Sequence, residues 1–325
     1  MQTKEDLRRV LDGFGGRRML VLGDVILDRY WWGEASRLSP EAPVPVVRKR
    51  RSTARPGGAA NTAANLAALG AAVDLFGVVG ADREADELRA VLGEAGVASD
   101  GLVAEKGRPT TTKTRVVATH QQIVRVDDEE TGPVGAAATA ELLRVLAAQL
   151  PAADAIVVSD YAKGLLSPML LAAVMETAAR AGKRVLIDPK GGDWTRYRGA
   201  HLLKPNRAEL GLLTRMPARD HAETEAAGQR LAADMPGSLI LVTEGPEGMS
   251  LYGCGEPVRV RPAARQVYDV TGAGDTVLAT MAMALAAGAS THDAMQLSSE
   301  AAAIAVGMLG TAAVTIDQLR AAIAG

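Results

Sequence analysis

The 325-residue sequence has one cysteine, Cys254, which excludes any disulfide within the chain and fits a reducing compartment. Its four histidines, His120, His201, His221 and His292, are scattered and show no metal-ligand spacing. With a formal net charge of -2 there is no basic field of the kind that grasps nucleic acid. The densest basic cluster is Arg48-Lys49-Arg50-Arg51, a run that solvates a strand end more readily than it binds a polyanion. Long apolar runs are missing too. The Ala-rich stretches at 278–288 and 301–309 are short and interrupted by Gly, so no transmembrane span is expected. Lys4, Glu5, Asp6, Arg8 and Arg9 precede any apolar stretch, the wrong layout for a secretory leader. There is no Ser-, Gly- or Pro-rich linker and no internal repeat. Together these absences predict a cytoplasmic protein with neither nucleic-acid nor membrane partners, folded as one domain over residues 1–325.

What is present is 48% hydrophobic residues in a chain long enough to bury a large core. Short β-branched runs alternate with longer Ala- and Leu-rich amphipathic segments, the pattern of an α/β protein with a mainly parallel sheet. Strands are expected at 19–23, 73–79, 155–158, 184–187 and 238–243, and helices at 59–69, 167–181, 273–287, 291–308 and 315–324. Two stretches break the alternation: Val44 to Arg51, after a Pro-rich turn, and Thr111 to Asp127, which reads as two β runs around His120-Gln121-Gln122. They predict a small β-sheet lid, formed by about 29–51 and 110–127, over a cleft of the main sheet.

The strongest chemical signal is Asp269-Val-Thr-Gly-Ala-Gly-Asp275, followed directly by the apolar helical run Val277 to Ala287. Glycines at 272 and 274 permit close approach of an anion, and a helix start aims its free N–H groups and positive dipole end at it. Asp275, in the first helical turn beside that pocket, is placed to take a proton from an acceptor hydroxyl. Alone, the motif is equally that of a Gly turn with an Asp favouring a helix N-terminus. It has company. Gly57-Gly58-Ala59-Ala60-Asn61 sets a second Gly pair before a helix, with an Asn able to bond a polyol, and Asp24 and Asp28 follow the first strand at its carboxyl end, where ligands of open α/β sheets collect. Either carboxylate could equally cap a turn.

From Leu20-Val-Leu-Gly-Asp24 to Gly307-Met-Leu-Gly310, these segments resemble the ribokinase-like, or PfkB, carbohydrate kinases. Asn206-Arg-Ala-Glu209 is similar to that family's Asn-x-x-Glu element, and Thr243-Glu-Gly245-Pro-Glu-Gly248 to its nucleotide-side turn. Within the family, several stretches look like the heptose 7-phosphate kinases of lipopolysaccharide-core biosynthesis. These are Gly23 to Gly33, Ser36 to Val46, Thr112 to Arg115, Ser159-Asp-Tyr-Ala-Lys-Gly164, Ile187-Asp-Pro-Lys-Gly191 and Val267 to Val270.

That resemblance implies a ribokinase-like fold, ATP and Mg²⁺, and transfer of the γ-phosphoryl group to the anomeric hydroxyl of D-glycero-D-manno-heptose 7-phosphate. It implies Asp275 as base and the amides of Gly272, Ala273 and Gly274 as anion hole. Asp24, Asp28, Gly57, Gly58 and Asn61 would hold sugar hydroxyls. Asn206 and Glu209 would support Mg²⁺ through water, and Thr243, Gly245, Gly248 and Thr271 would lie on the nucleotide side. The adenine pocket is expected near Gly245, Gly248 and the helices around 301–310. A phosphorylated substrate needs cationic donors, for which Arg115, Arg125, Lys163 and Lys190 are the candidates, with Arg37 and Lys113 behind them. The resemblance also implies a homodimer through the lid. A fused nucleotidyltransferase with a His-x-Gly-His motif finds no match among the four histidines, so a stand-alone kinase or kinase half is expected. A ribokinase-like enzyme for another acceptor, or a silent sugar- or nucleotide-binding regulator, are the other readings.

Overall fold

In a computed structural model, residues 4–118, 121–262, 268–308 and 313–324 are described. The strand Arg18–Gly23 shows why the sheet is central: Leu20 and Leu22 pack into one apolar cluster while Met19 and Val21 pack into another on the opposite face. Such a strand, buried on both faces, needs helices on both sides. Its parallel neighbours are Ala72–Val79, then Val97–Ala104, on one flank and Ala155–Ser159 on the other. Beyond Ala155–Ser159 come Arg184–Asp188, Leu202–Leu203 and Leu239–Thr243, all parallel, and then the antiparallel edge of Met249–Tyr252 and Val258–Val260. The result is a nine-stranded, mainly parallel sheet.

Helices Ala59–Ala68, Ala273–Ala286 and Thr291–Ala305 cover one face, while Ala136–Gln149, Pro168–Arg180 and His221–Asp234 cover the other. Among the described residues no helix is long and apolar enough to cross a membrane. Sequence periodicity places most of these elements to within a residue or two. The helix expected over 291–308 stops at Ala305, where the Val306 carbonyl turns to accept the N–H groups of Tyr268 and Asp269.

The second sheet has four strands in the order Pro45–Gly58, Val25–Leu38, Thr112–Ala118, Gln121–Asp128. It is more extensive than the expected 29–51 and 110–127, because Val25 pairs with Gly58 and the two long strands stay together down to the carboxyl edge of the main sheet. Residue His120, at the tip of the expected hairpin, lies outside the described residues. Trp31 and Trp32 belong to this lid sheet rather than to the core: the indole of Trp32 donates to Thr53 (2.9 Å) and stacks on Tyr30 (5.7 Å between centroids). Leu38, Val124 and Val126 of these strands, and Val44 just before Pro45–Gly58, are exposed apolar side chains.

Candidate active site

Adjacent parallel strands end in register, Gly23 beside Ser159 and Ser159 beside Asp188, so the residues that follow them converge along one edge. Asp24, Asp160, Asp188, Lys204 and Glu244 all gather there. Two helices start at the same edge. Gly58 (φ 58°) leads out of the lid into Ala59–Ala68, and Gly272 (φ 80°) caps Ala273–Ala286; both use the left-handed region that favours glycine.

Asp275 sits in the first turn of the second helix and is 4% exposed. Its carboxylate accepts Asn61 Nδ2 (2.6 Å), Thr62 Oγ1 (3.1 Å) and the Tyr161 hydroxyl, which lies 3.2 and 3.3 Å from its two oxygens. Asn65 Nδ2 donates to the Asn61 carbonyl (2.9 Å) and Thr276 Oγ1 to Asn65 Oδ1 (2.8 Å), so the two helix starts are tied by one polar chain. Burial raises the Asp275 pKa above the usual carboxylate range, against the lowering effect of Asn61, Lys204, Thr62 and Tyr161.

Lys204, itself 2% exposed, pairs with Asp188 at 3.0 Å. A Cβ on Gly274 would come within 3.2 Å of the Lys204 ammonium, so the absence of a side chain opens the helix start to that cation. Burial, together with the charges of Asp275 and Glu209, pushes the Asp188 carboxyl up to about 6 in spite of Lys204.

Asp24 is the anchor of a loop. Its carboxylate accepts the backbone N–H groups of Tyr161 (2.9 Å), Lys163 (3.1 Å) and Leu165 (3.4 Å). Burial raises its pKa while these amides lower it. Asp28 is held by Arg115 at 2.5 Å, and a Cβ on Gly57 would collide with the Asp28 carboxylate, which explains the glycine there. Asn61, expected on the sugar, is committed to Asp275.

Of the remaining candidate cations, Arg37 lies near the far end of Val25–Leu38, paired in register with Val46, while Lys163, Lys113, Lys190 and Arg125 each have a carboxylate. Lys163 pairs with Glu129 (2.6 Å), Lys113 with Asp127 (3.0 Å) and Glu129 (3.4 Å), and Lys190 with Glu209 (2.9 Å). Arg125 lies half exposed on Asp127, further out on the lid. On the nucleotide side, Asn206 and Glu209 form a reciprocal capping box for Arg207–Thr214, and Asn206 bridges Thr243 across the sheet. Gly245 (φ 58°) and Gly248 (φ 101°) shape the turn around buried Glu244, which holds Arg207 (2.8 Å) and Ser250. Thr271 caps a local turn on Asp269 (2.9 Å). Val267, and residues 309 and 310 of the expected adenine wall, lie outside the described residues. A cavity of about 290 Å³ lies at the amino edge of the sheet, beside Asp154 and Arg184, and does not include Asp275.

Sequence reading missed Thr62, Tyr161, Asp188 and Lys204. A signal existed: Asp160 and Asp188 end buried strands as Asp24 does, and Lys204 follows the apolar pair Leu202–Leu203 directly.

Known structures share this architecture. Phosphofructokinase-2 from Escherichia coli, in complex with substrates and products, superposes with a TM-score of 0.78 over 95% of this chain and 98% of its own, at 20% identity. Arabidopsis thaliana ribokinase, complexed with ribose and ATP, gives 0.74 over 95% and 99%, at 22% identity. The fold is therefore that of the ribokinase-like proteins. The sequence profile of the pfkB family carbohydrate kinases matches residues 17–318, and the chain belongs to that family. Among curated relatives, the "Bifunctional protein HldE" of Halorhodospira halophila is 47% identical over 316 residues, 97% of this chain and 65% of its own length. That of Pectobacterium atrosepticum is 46% identical over 322 residues, 98% and 66% respectively. The chain thus spans just under two thirds of the relatives it matches.

Proposed function

We propose that this chain transfers the γ-phosphoryl group of ATP to the anomeric hydroxyl of D-glycero-D-manno-heptose 7-phosphate, giving the 1,7-bisphosphate on the route to ADP-heptose. The observation that carries the kinase reading is the buried Asp275 carboxylate at a glycine-lined helix start, with Lys204 beside the same turn. The acceptor is supported by the long stretches resembling heptose 7-phosphate kinases and by the identity with the bifunctional relatives. Residues 1–325 act as one kinase domain, with the lid closing over the sugar.

Asp275 takes the proton of the attacking hydroxyl, and burial raises its proton affinity, which suits it to that task. The amides of Gly272, Ala273 and Gly274, at the positive end of the helix, face the charge that develops on the transferred phosphoryl oxygens. Lys204 adds a fixed cation there. Asp24 acts on the sugar indirectly, by holding the 161–165 loop, whereas Asp28, Gly57 and Gly58 form the sugar-side wall. Arg115, Lys163 and Lys190 receive the substrate's own phosphate by exchanging a carboxylate partner for it. Thr243, Gly245, Gly248 and Thr271 border the nucleotide.

Among the described residues no cluster of three or more acidic, His or Cys side chains could bind a metal directly. Glu209 accepts from Lys190 and from the Asn206 N–H, which leaves lone pairs for water, so Asn206 and Glu209 fit a Mg²⁺ held through its water shell. When bound, Mg²⁺ neutralises charge on the ATP phosphates. The exposed lid residues Leu38, Val44, Val124 and Val126 favour a homodimer through this sheet, and the protein works in the cytoplasm. Replacing Asp275 by Asn should lower kcat by about 10²–10⁴-fold; near-normal turnover would refute the assignment of the base.

A further inference from the structure

The loop between strand Ala155–Ser159 and helix Pro168–Arg180 is fixed far more firmly than a surface connection needs. Besides the three amides bound by Asp24, Asp160 accepts the Ala162 N–H (2.8 Å) and the Tyr197 hydroxyl (2.8 Å). Ala162 is held at φ 55°, a left-handed conformation that a residue with a Cβ rarely adopts. Over-determined backbone of this kind persists where it aims a functional group. Here it aims Tyr161, whose hydroxyl lies almost equally far, 3.2 and 3.3 Å, from both oxygens of Asp275.

Asn61 and Thr62 already occupy one position on each of those oxygens. A carboxylate offers about four such positions, so the phenol covers much of the remaining edge. We propose that Tyr161 is a positioning residue for the base: its hydroxyl fixes the Asp275 carboxylate and shields its open edge, so that water is not activated in place of a sugar hydroxyl. Burial and the Asp275 charge hold the phenol's pKa well above its ordinary value, so it acts as a neutral donor. The other charged groups facing this pair are Lys204 and Asp188 on the Asp275 side and Asp28 on the Tyr161 side, all retained when the phenol alone is changed. What the shield suppresses is transfer of the γ-phosphoryl group to water. In that reaction the bond to ADP breaks, a bond to the water oxygen forms, and the water proton passes to Asp275.

The inference rests on Asp275 being the base, and the test separates the two. In Tyr161→Phe the carboxylate loses a donor, its pKa rises, and the acid limb of the kcat/KM profile moves to higher pH. On that limb kcat/KM should fall ~10-fold relative to the alkaline plateau. ATP hydrolysis without sugar should rise ~10-fold, and should vanish again in Tyr161→Phe combined with Asp275→Asn. An unmoved acid limb together with unchanged sugar-independent hydrolysis overturns the inference while Asp275→Asn remains inactive. An active Asp275→Asn enzyme overturns the base itself. Should Tyr161→Phe fail to melt cooperatively, Asp160→Ala, which keeps the phenol but removes the acceptor of the Ala162 N–H, carries the same two readouts.

Discussion

Replacing Lys204 by Met should destabilise the protein in a strongly pH-dependent way. The ammonium and the Asp188 carboxylate are 3.0 Å apart with side chains only 3% and 15% exposed, so removing the cation leaves a carboxylate facing Asp275 and Glu209. Breaking a buried pair in this manner costs about 3–5 kcal/mol when the remaining charge has no escape. Asp188 does have one, because it can take up a proton. Each pH unit above its folded-state pKa adds about 1.4 kcal/mol to that step.

With that pKa at about 6 and the free value at 3.8, the sign follows: Asp188 favours the fold most below 3.8, and that contribution is lost as pH rises through about 6. Urea melts should therefore show Lys204→Met to be less stable than the natural chain by about 3 kcal/mol at pH 8, and by about 1 kcal/mol at pH 5.5. The companion Asp188→Asn should restore part of the loss at pH 8, since neither partner is then left charged and alone. An equal loss at both pH values, or none at pH 8, would refute the reasoning.

Three further outcomes follow from the same contacts. Gly57→Ala drives a methyl into the Asp28 carboxylate and should raise KM for the sugar phosphate ~10-fold, with KM for ATP unchanged in initial-rate assays. Arg115→Ala frees Asp28 and, on the proposed assignment, removes a cation that receives the substrate's phosphate, so KM for heptose 7-phosphate should rise by ~10-fold or more while a sugar without a phosphate is little affected. Glu244→Gln weakens the hold on Arg207 and Ser250 and should lower the unfolding free energy by about 2–4 kcal/mol in urea melts.

Five of the nine strands of the main sheet were legible as short, mostly apolar runs bounded by turns, whereas Val97–Ala104, Leu202–Leu203, Met249–Tyr252 and Val258–Val260 were not, and helices such as Pro168–Arg180 begin with a readable Ser167 cap. The glycine-lined start of Ala273–Ala286 was legible for the same reason, because local backbone chemistry fixes it, whereas Asn206 and Glu209 stood out by resemblance alone and their capping box is a finding of the structure. What could not be read was partnership across the chain. Asn61 donates to Asp275, 214 residues away, and Asp24 accepts amides of the 161–165 loop, pairings that no local pattern announces. The full extent of the lid was hidden likewise. Arg55 and Pro56 give no strand signal by themselves, yet pairing with Asp28 and Leu27 carries the strand to the edge of the site.

Coupled ADP release with ATP and Mg²⁺ tests the assigned chemistry most directly, with heptose 7-phosphate and fructose 6-phosphate offered in parallel. Turnover should be rapid with the heptose, with new phosphate on its anomeric oxygen, and negligible with the fructose ester. Equal or faster turnover of fructose 6-phosphate, or phosphate appearing on another oxygen of the heptose, would contradict the acceptor assignment.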